Sequence, residues 1–252
     1  MQSVIHPQDR SFNYGDGIFT TILVTGGKLQ LWPLHLQRLQ RGATVLGFGQ
    51  IDWQSVQHQA QGAITQAEQV IKLLISRGEG GRGYAYDPQI TPRIYVSSAR
   101  VPDYQNARRE GINLGVASLQ LAVQPLLAGL KHNNRLEQVL IKQQLSGSGF
   151  DDLLVRDQLG FVIEASAANV LFYRAQRWYT PELSRAGVAG VMRQHIMQQA
   201  DISEVNWTLD ELQSVEAMAI CNSLMGIVPV HTFTGRNLSL TPVMQLKKQV
   251  VC

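Results

Sequence analysis

Leu127-Ala128-Gly129-Leu130-Lys131-His132-Asn133-Asn134-Arg135-Leu136-Glu137-Gln138-Val139-Leu140 is the stretch on which the reading of this chain turns. A lysine directly after an apolar run is a candidate for partial burial. Burial disfavours the ammonium, lowers the pKa and leaves a nucleophilic amine able to form a Schiff base. The same run fits a lysine surfacing at a helix start, and Lys131 alone does not choose between the two.

Working outward, Arg135–Leu145 reads as a helix, and Ser146-Gly147-Ser148-Gly149 as the turn after it. Strands are expected at Ile112–Leu119, Leu153–Val155, Val170–Tyr173, Ala217–Cys221 and Ile227–His231, and a helix at Val188–Ala200. Thr208-Leu209-Asp210-Glu211 has capping-box spacing, so a short helix is expected there. Upstream, Ile18–Val24 is β-rich, and Gly26-Gly27 turns it into Lys28–Leu31 as a hairpin. Leu36, Leu39, Ala43 and Leu46 recur at helical spacing, with Pro33 near the start. Trp53–Gln66 reads as a Gln-rich surface helix, and Val70–Ile75 and Ile94–Ser98 as strands. The pattern is α+β in two domains. We place a smaller domain at 1–98, a polar linker at 99–111 and a larger domain at 112–252.

Composition narrows the function. Of 252 residues, 44% are apolar and 16% charged, which suits a globular enzyme. The net charge of +3 is dispersed, which gives no nucleic-acid footprint, although a basic pI suits an anionic substrate. Cys221 and Cys252 make no disulfide framework, so a reducing cytoplasm is the simplest setting. The N-terminal Met-Gln-Ser-Val-Ile-His-Pro lacks a signal-peptide pattern, and no apolar run is long enough to span a bilayer. His132 and His195 stand outside metal-ligand spacing, so no metal is expected.

Further residues could carry chemistry. Glu164 follows Val162-Ile163 and precedes three small residues. It is either a surface carboxylate at a strand end or one buried against a flat ligand, where it would hold a pyridine nitrogen protonated. Gly187-Val188-Ala189-Gly190-Val191-Met192-Arg193 opens a helix whose free N–H groups form an anion site, a common arrangement in any protein. Asn222-Ser223 could add donors. Arg38 lies about 100° around its helix from the apolar stripe, free to be solvated or to reach a phosphate. The loop Ser76–Tyr84 is glycine-dense with two arginines but lacks a P-loop ending. It fits a mobile binding loop or a disordered one.

Together these segments resemble the fold-type IV pyridoxal-phosphate (PLP) enzymes, which include D-amino-acid and branched-chain aminotransferases and aminodeoxychorismate lyases. Glu164, Asn169, Thr180 and Val188-x-Gly190-Val191-x-Arg193 follow that family's order and spacing. The resemblance runs from Tyr14 to about Val230, with Leu171 and Trp178 as small departures and a first strand that is short or missing. Three segments are similar to the lyase branch. They are Tyr14-Gly15-Asp16-Gly17-Ile18-Phe19-Thr20-Thr21, the loop Ile75–Tyr84, and the Lys131 segment. D-amino-acid transaminases usually carry Glu at the place of Thr20.

The resemblance implies a two-domain, D-amino-acid-aminotransferase-like fold with PLP in the cleft between the domains. Lys131 would be the Schiff-base and proton-transfer residue, and Glu164 the partner of the ring nitrogen. Arg38, Asn169, the N–H groups of Val191 and Met192, and Ser223 would complete the cofactor site. Arg82 and Tyr84 stand where relatives place a carboxylate-gripping pair given to the neighbouring subunit of a homodimer. The aminotransferase tyrosine beside the cofactor's phenolate is absent, with Leu136 at its spacing. The implied activity is conversion of 4-amino-4-deoxychorismate to 4-aminobenzoate and pyruvate. The rivals are an aminotransferase of the same fold and a non-catalytic scaffold.

Overall fold

A computed structural model describes residues 5–250. Cys252 and the first four residues of the N-terminal stretch lie outside them. Two compact units divide the chain, one running up to Pro102 and also holding Leu130–Arg135, the other comprising Asp103–Gly129 and Leu136 onward.

The first unit is built from α1 (Arg10–Tyr14), β1 (Gly17–Thr25), β2 (Lys28–Leu29), α2 (Trp32–Val45), α3 (Trp53–Gly62), β3 (Gln69–Ser76) and β4 (Arg93–Ala99). Its antiparallel sheet has the order β2-β1-β3-β4. Alternation along β1 turns Ile18, Thr20, Ile22 and Val24 inward, as period two requires. Ile18 joins Leu73 and Ile75 of β3, Leu39 and Ala43 of α2, and Val56 and Ala60 of α3 in one core. Pro33 sits in the first turn of α2, where its missing N–H costs nothing. The helix α3 ends at Gly62, short of the expected Gln66.

Leu130–Arg135 corrects the expectation that 112–252 is one continuous domain. Phe19 N–H donates to the Lys131 carbonyl at 2.9 Å and Asn133 N–H to the Gly17 carbonyl at 3.0 Å, which ties the segment to the edge of β1. The linker at 99–111 is also corrected, because it holds the helix α4 (Gln105–Glu110). Arg108 of α4 donates to the carbonyls of Met225 and Leu224, both at 2.8 Å, so the helix is docked on the second unit.

The second unit continues with β5 (Ile112–Leu121), α5 (Leu136–Leu145), β6 (Asp152–Asp157), β7 (Val162–Ala165), β8 (Asn169–Arg174), β9 (Arg177–Pro181), α6 (Val191–Gln199) and β10 (Ile202–Val205). After the 3-10 turn Glu211–Ser214 come β11 (Ala217–Asn222), β12 (Gly226–Phe233), β13 (Arg236–Asn237) and α7 (Thr241–Gln249). One sheet runs β10-β9-β8-β11-β12-β5-β6-β7, with β13 paired to β12. Phe172, Met218, Val230 and Leu154 anchor its main core. The capping-box signal marks a real turn, since the Glu211 carboxylate accepts from Thr208 N–H at 2.8 Å. Among the described residues no helix is long and apolar enough to cross a membrane, and no His, Cys, Asp and Glu cluster could hold a metal.

Candidate active site

In the first unit the expected residues gather around a polar inclusion in the core. Period two places Thr20 inward between Ile18 and Ile22, and the i, i+3 spacing of His35 and Arg38 on α2 brings both against it. An Arg38 Nη2 donates to Thr20 Oγ1. The hydroxyl of Thr20 lies 2.6 Å from His35 Nδ1. Thr20 Oγ1 accepts from Arg38 and keeps its own hydrogen and a second lone pair, so it can pair with either tautomer of His35. Burial, then the charges of Arg38 and Lys131, push the His35 pKa well below its ordinary value. Arg38 itself falls to about 10, through burial and then the nearby Arg135, and its Nε is buried without a protein partner. A cation so placed is short of an anion.

Lys131 is half-buried, its Nζ 4.6 Å from the centre of the Phe19 ring. Its backbone is held on β1, and Arg135 ties the segment to itself by donating to the carbonyls of His132 (2.9 Å) and Leu130 (2.5 Å). The partial burial expected of this lysine therefore comes from the edge of a sheet. It does not sit at a helix start, since α5 begins five residues later.

In the second unit Glu164 is a buried strand residue, 5% exposed, which excludes the surface alternative. Its Oε2 accepts from the backbone N–H of Val188 at 2.9 Å, and Oε1 from Gln138 Nε2 at 3.5 Å. That N–H is available because Val188 is not helical. The expected helix at Val188–Ala200 begins only at Val191, with Gly190 as its N-cap, because residues 187–189 pair with Gly129 instead. Two glycines make this possible. A Cβ on Gly187 would lie 2.5 Å from Ile163 Cγ2, at a backbone φ of +82°. A Cβ on Gly190 would lie 1.9 Å from Asn169 Oδ1.

Asn169 explains the close approach, because its Nδ2 donates to the Val188 carbonyl at 2.8 Å. It thus supports the turn that carries the N–H groups of Val191 and Met192. The helix start has no side-chain cap, so these first-turn donors keep the anion-binding character expected of them. Ser223 lies in the turn after β11, where the Asn222 side chain accepts from the N–H groups of Leu224 and Met225, both at 2.9 Å. Asn222 is therefore a turn former, and the sequence reading of it as a donor to a ligand is set aside.

Arg82 and Tyr84 lie on the glycine-dense loop of the first unit, with Tyr84 85% exposed. The backbone of the loop is hydrogen-bonded on both flanks. Thr20, His35, Gln138 and the Val188 N–H escaped the sequence reading. Thr20, Gln138 and Val188 each stood in a quoted motif, but no residue type there announced the contact it makes, and His35 had no signal.

PLP places two demands on a site, an anion-binding end and a carboxylate for the ring nitrogen. The first unit offers an under-satisfied Arg38 and an accessible lysine, the second an uncapped helix start and a braced, buried Glu164. The residues fit the cofactor.

This topology and residue set define a class. A family model described as amino-transferase class IV matches residues 17–233, and the chain belongs to that family. The fold-type IV architecture expected from the motifs is the one found. Within the family, the chain is 39% identical over 229 residues to the aminodeoxychorismate lyase of Vibrio harveyi, covering 88% of this chain and 84% of that protein. A solved structure of 4-amino-4-deoxychorismate lyase from Pseudomonas aeruginosa is similar with a TM-score of 0.91 and 34% identity, over 98% of this chain and 95% of that one. The D-alanine aminotransferase of Bacillus licheniformis is 23% identical over 92% of this chain and 83% of its own.

Proposed function

We propose that this chain is a PLP-dependent carbon–oxygen lyase that splits 4-amino-4-deoxychorismate into 4-aminobenzoate and pyruvate, a step toward folate. The observation that carries the choice of reaction is the gap in identity between the lyase relative, 39%, and the transaminase relative, 23%.

When bound, PLP supplies an electron sink for the amine-bearing carbon of the substrate. Lys131 Nζ would hold the cofactor until the substrate amine displaces it, and the freed amine would take the proton from that carbon. Loss of enolpyruvate from the neighbouring ring carbon, with the electron pair of the broken carbon–oxygen bond, would make the ring aromatic, and the leaving enolate would take up a proton to become pyruvate. Glu164, aligned by Val188 N–H and Gln138, keeps a proton at the ring nitrogen. Arg38, Ser223 and the N–H groups of Val191 and Met192 hold the phosphate, and Asn169 holds the turn that aims them.

Arg82 and Tyr84 grip a substrate carboxylate in the site of a neighbouring subunit. A homodimer is supported by the exposed apolar residues Leu136, Val139 and Leu140, which share one face of α5. A reducing cytoplasm is supported by the buried, unpaired Cys221.

The test is 4-aminobenzoate formation by the purified holoprotein given aminodeoxychorismate and no 2-oxo acid. Product is expected. Amino-group exchange between amino acids and 2-oxoglutarate, with no 4-aminobenzoate, would turn the reading to an aminotransferase, and a colourless protein that binds no PLP to a scaffold.

A further inference from the structure

Arg10 is 3% exposed, and every nitrogen of its guanidinium is engaged. Nε donates to Asp16 Oδ2 at 2.9 Å. Nη1 donates to the carbonyls of Gly83 (3.2 Å) and Ala85 (3.1 Å), and Nη2 to that of Tyr84 at 2.8 Å. Three consecutive carbonyls of the glycine-dense loop thus converge on one side chain. Asp16 is also held from its other side by Arg77 Nε at 2.7 Å, and Arg77 in turn caps the carbonyls of Gly47 and Leu46. A single carboxylate therefore neutralises two buried arginines, each of which spends its remaining donors on backbone.

The other end of the loop is tied differently. Arg10 N–H donates to the Gly78 carbonyl at 2.9 Å and Gly80 N–H to the Gln8 carbonyl at 3.1 Å. Helix α1 supplies one more clamp, as Gly83 N–H donates to Tyr14 Oη at 3.1 Å and the Tyr14 and Tyr84 rings meet edge-on at 5.6 Å. The anchor does not drift, because Asp9 caps α1 and accepts from Ser76 Oγ at 2.6 Å and Tyr95 Oη at 2.7 Å. Between the two clamped flanks stand Gly81 and Arg82, with the Arg82 side chain exposed.

We infer that Arg10 is a positioning residue for substrate recognition. Its guanidinium fixes the backbone of residues 83–85, and so decides where Arg82 and Tyr84 stand. This rests on the reading of those two residues as the carboxylate grip. A fork of fixed donors can serve three carbonyls and a carboxylate together, whereas a lysine ammonium presents its donors from one atom. Arg10→Lys therefore keeps the charge beside Asp16 and loses the clamp. The loop would then sample several conformations, and the grip would have to be ordered anew at each binding event, a cost that appears in KM.

The test uses the holoenzyme with aminodeoxychorismate. Arg10→Lys should raise KM by about tenfold while kcat and the visible band of the bound cofactor change little, the pattern of lost uniform binding. Hydrogen exchange of the peptide spanning 81–86 should quicken in the same variant. Tyr14→Phe removes only the clamp on Gly83 N–H and should show a smaller shift of the same kind, and it carries the test if Arg10→Lys fails to fold. Arg82→Gln is the control for the underlying reading. If it leaves KM unchanged, the grip reading falls and this inference with it. If Arg82→Gln raises KM while both clamp variants leave it unchanged, the role of Arg10 is overturned and the grip stands. Faster exchange with unchanged KM in the clamp variants also overturns it.

Discussion

The two units hold their candidate residues by opposite means. In the first, the candidate groups are side chains set into a hydrophobic core, with Arg38 and His35 meeting Thr20, and Lys131 laid on the edge of β1. In the second, backbone does most of the work, as the N–H of Val188 aligns Glu164 and two glycines let the chain pass close to Ile163 and Asn169. The difference teaches where each unit is fragile. The first should answer to the chemical identity of a side chain, the second to anything that moves the main chain.

The sharpest way to break this contrast is at Lys131. Lys131→Ala should abolish turnover and remove the visible absorbance of the cofactor-loaded protein, and an unchanged spectrum would reject its role. Glu164→Gln keeps the shape and removes the charge. Losing one charge-assisted hydrogen bond of about 1.5–3 kcal/mol predicts a fall in kcat of roughly ten- to a hundredfold, with the visible band retained.

Gly190→Ala tests the backbone side of the comparison. Its added methyl must displace the Asn169 amide, and crowding of this kind costs about 1–3 kcal/mol, measurable by urea unfolding. An unaffected stability there would mean that the close approach is not required. Thr20→Val tests the side-chain half, since it leaves buried polar atoms of His35 and Arg38 unmatched, at about 1–3 kcal/mol.

The smallest effect concerns pH. His35 is held well below its ordinary value, and burial followed by the charge of Arg135 holds His132 at about 4. The unfolded chain takes up these protons near pH 6.5 while the folded chain does not, so it binds more protons below that pH. Stability contributed by these neutral histidines is full above about 6.5 and declines as pH falls, by up to about 1.4 kcal/mol per pH unit for the buried His35 and by less for His132, which solvent screens. For His132 the decline ends near its folded value of about 4. Denaturant melts between pH 7 and 5 should show this slope, and His35→Asn should flatten it.

The same contrast explains what the sequence made legible. Residue types announce side-chain chemistry, so Lys131, Glu164 and Arg38 were readable as candidates from their neighbours. Strand alternation and helical spacing likewise exposed the sheet of the first unit and the helix α2. A backbone donor has no residue type. Nothing in the letters of Gly187–Gly190 says that Val188 gives its N–H to Glu164, and the helix start was therefore placed three residues early. Buried ion networks are equally silent, because Arg77 lies 61 residues beyond Asp16 and only the fold brings it to the Arg10–Asp16 pair. The short strands β9 and β10 were missed because their mostly exposed or half-exposed residues show no long run of buried positions.

The excursion of Leu130–Arg135 into the first unit has a consequence for how the molecule is made. A ribosome that has finished Pro102 has not finished that unit, for the rung beside Gly17–Phe19 is still thirty-odd codons from the exit. Cutting the gene at the boundary between the units would strand this piece on the wrong fragment. Halves expressed separately should regain the bridge between Ile18 and His132 only when the first is supplied with the missing hexapeptide.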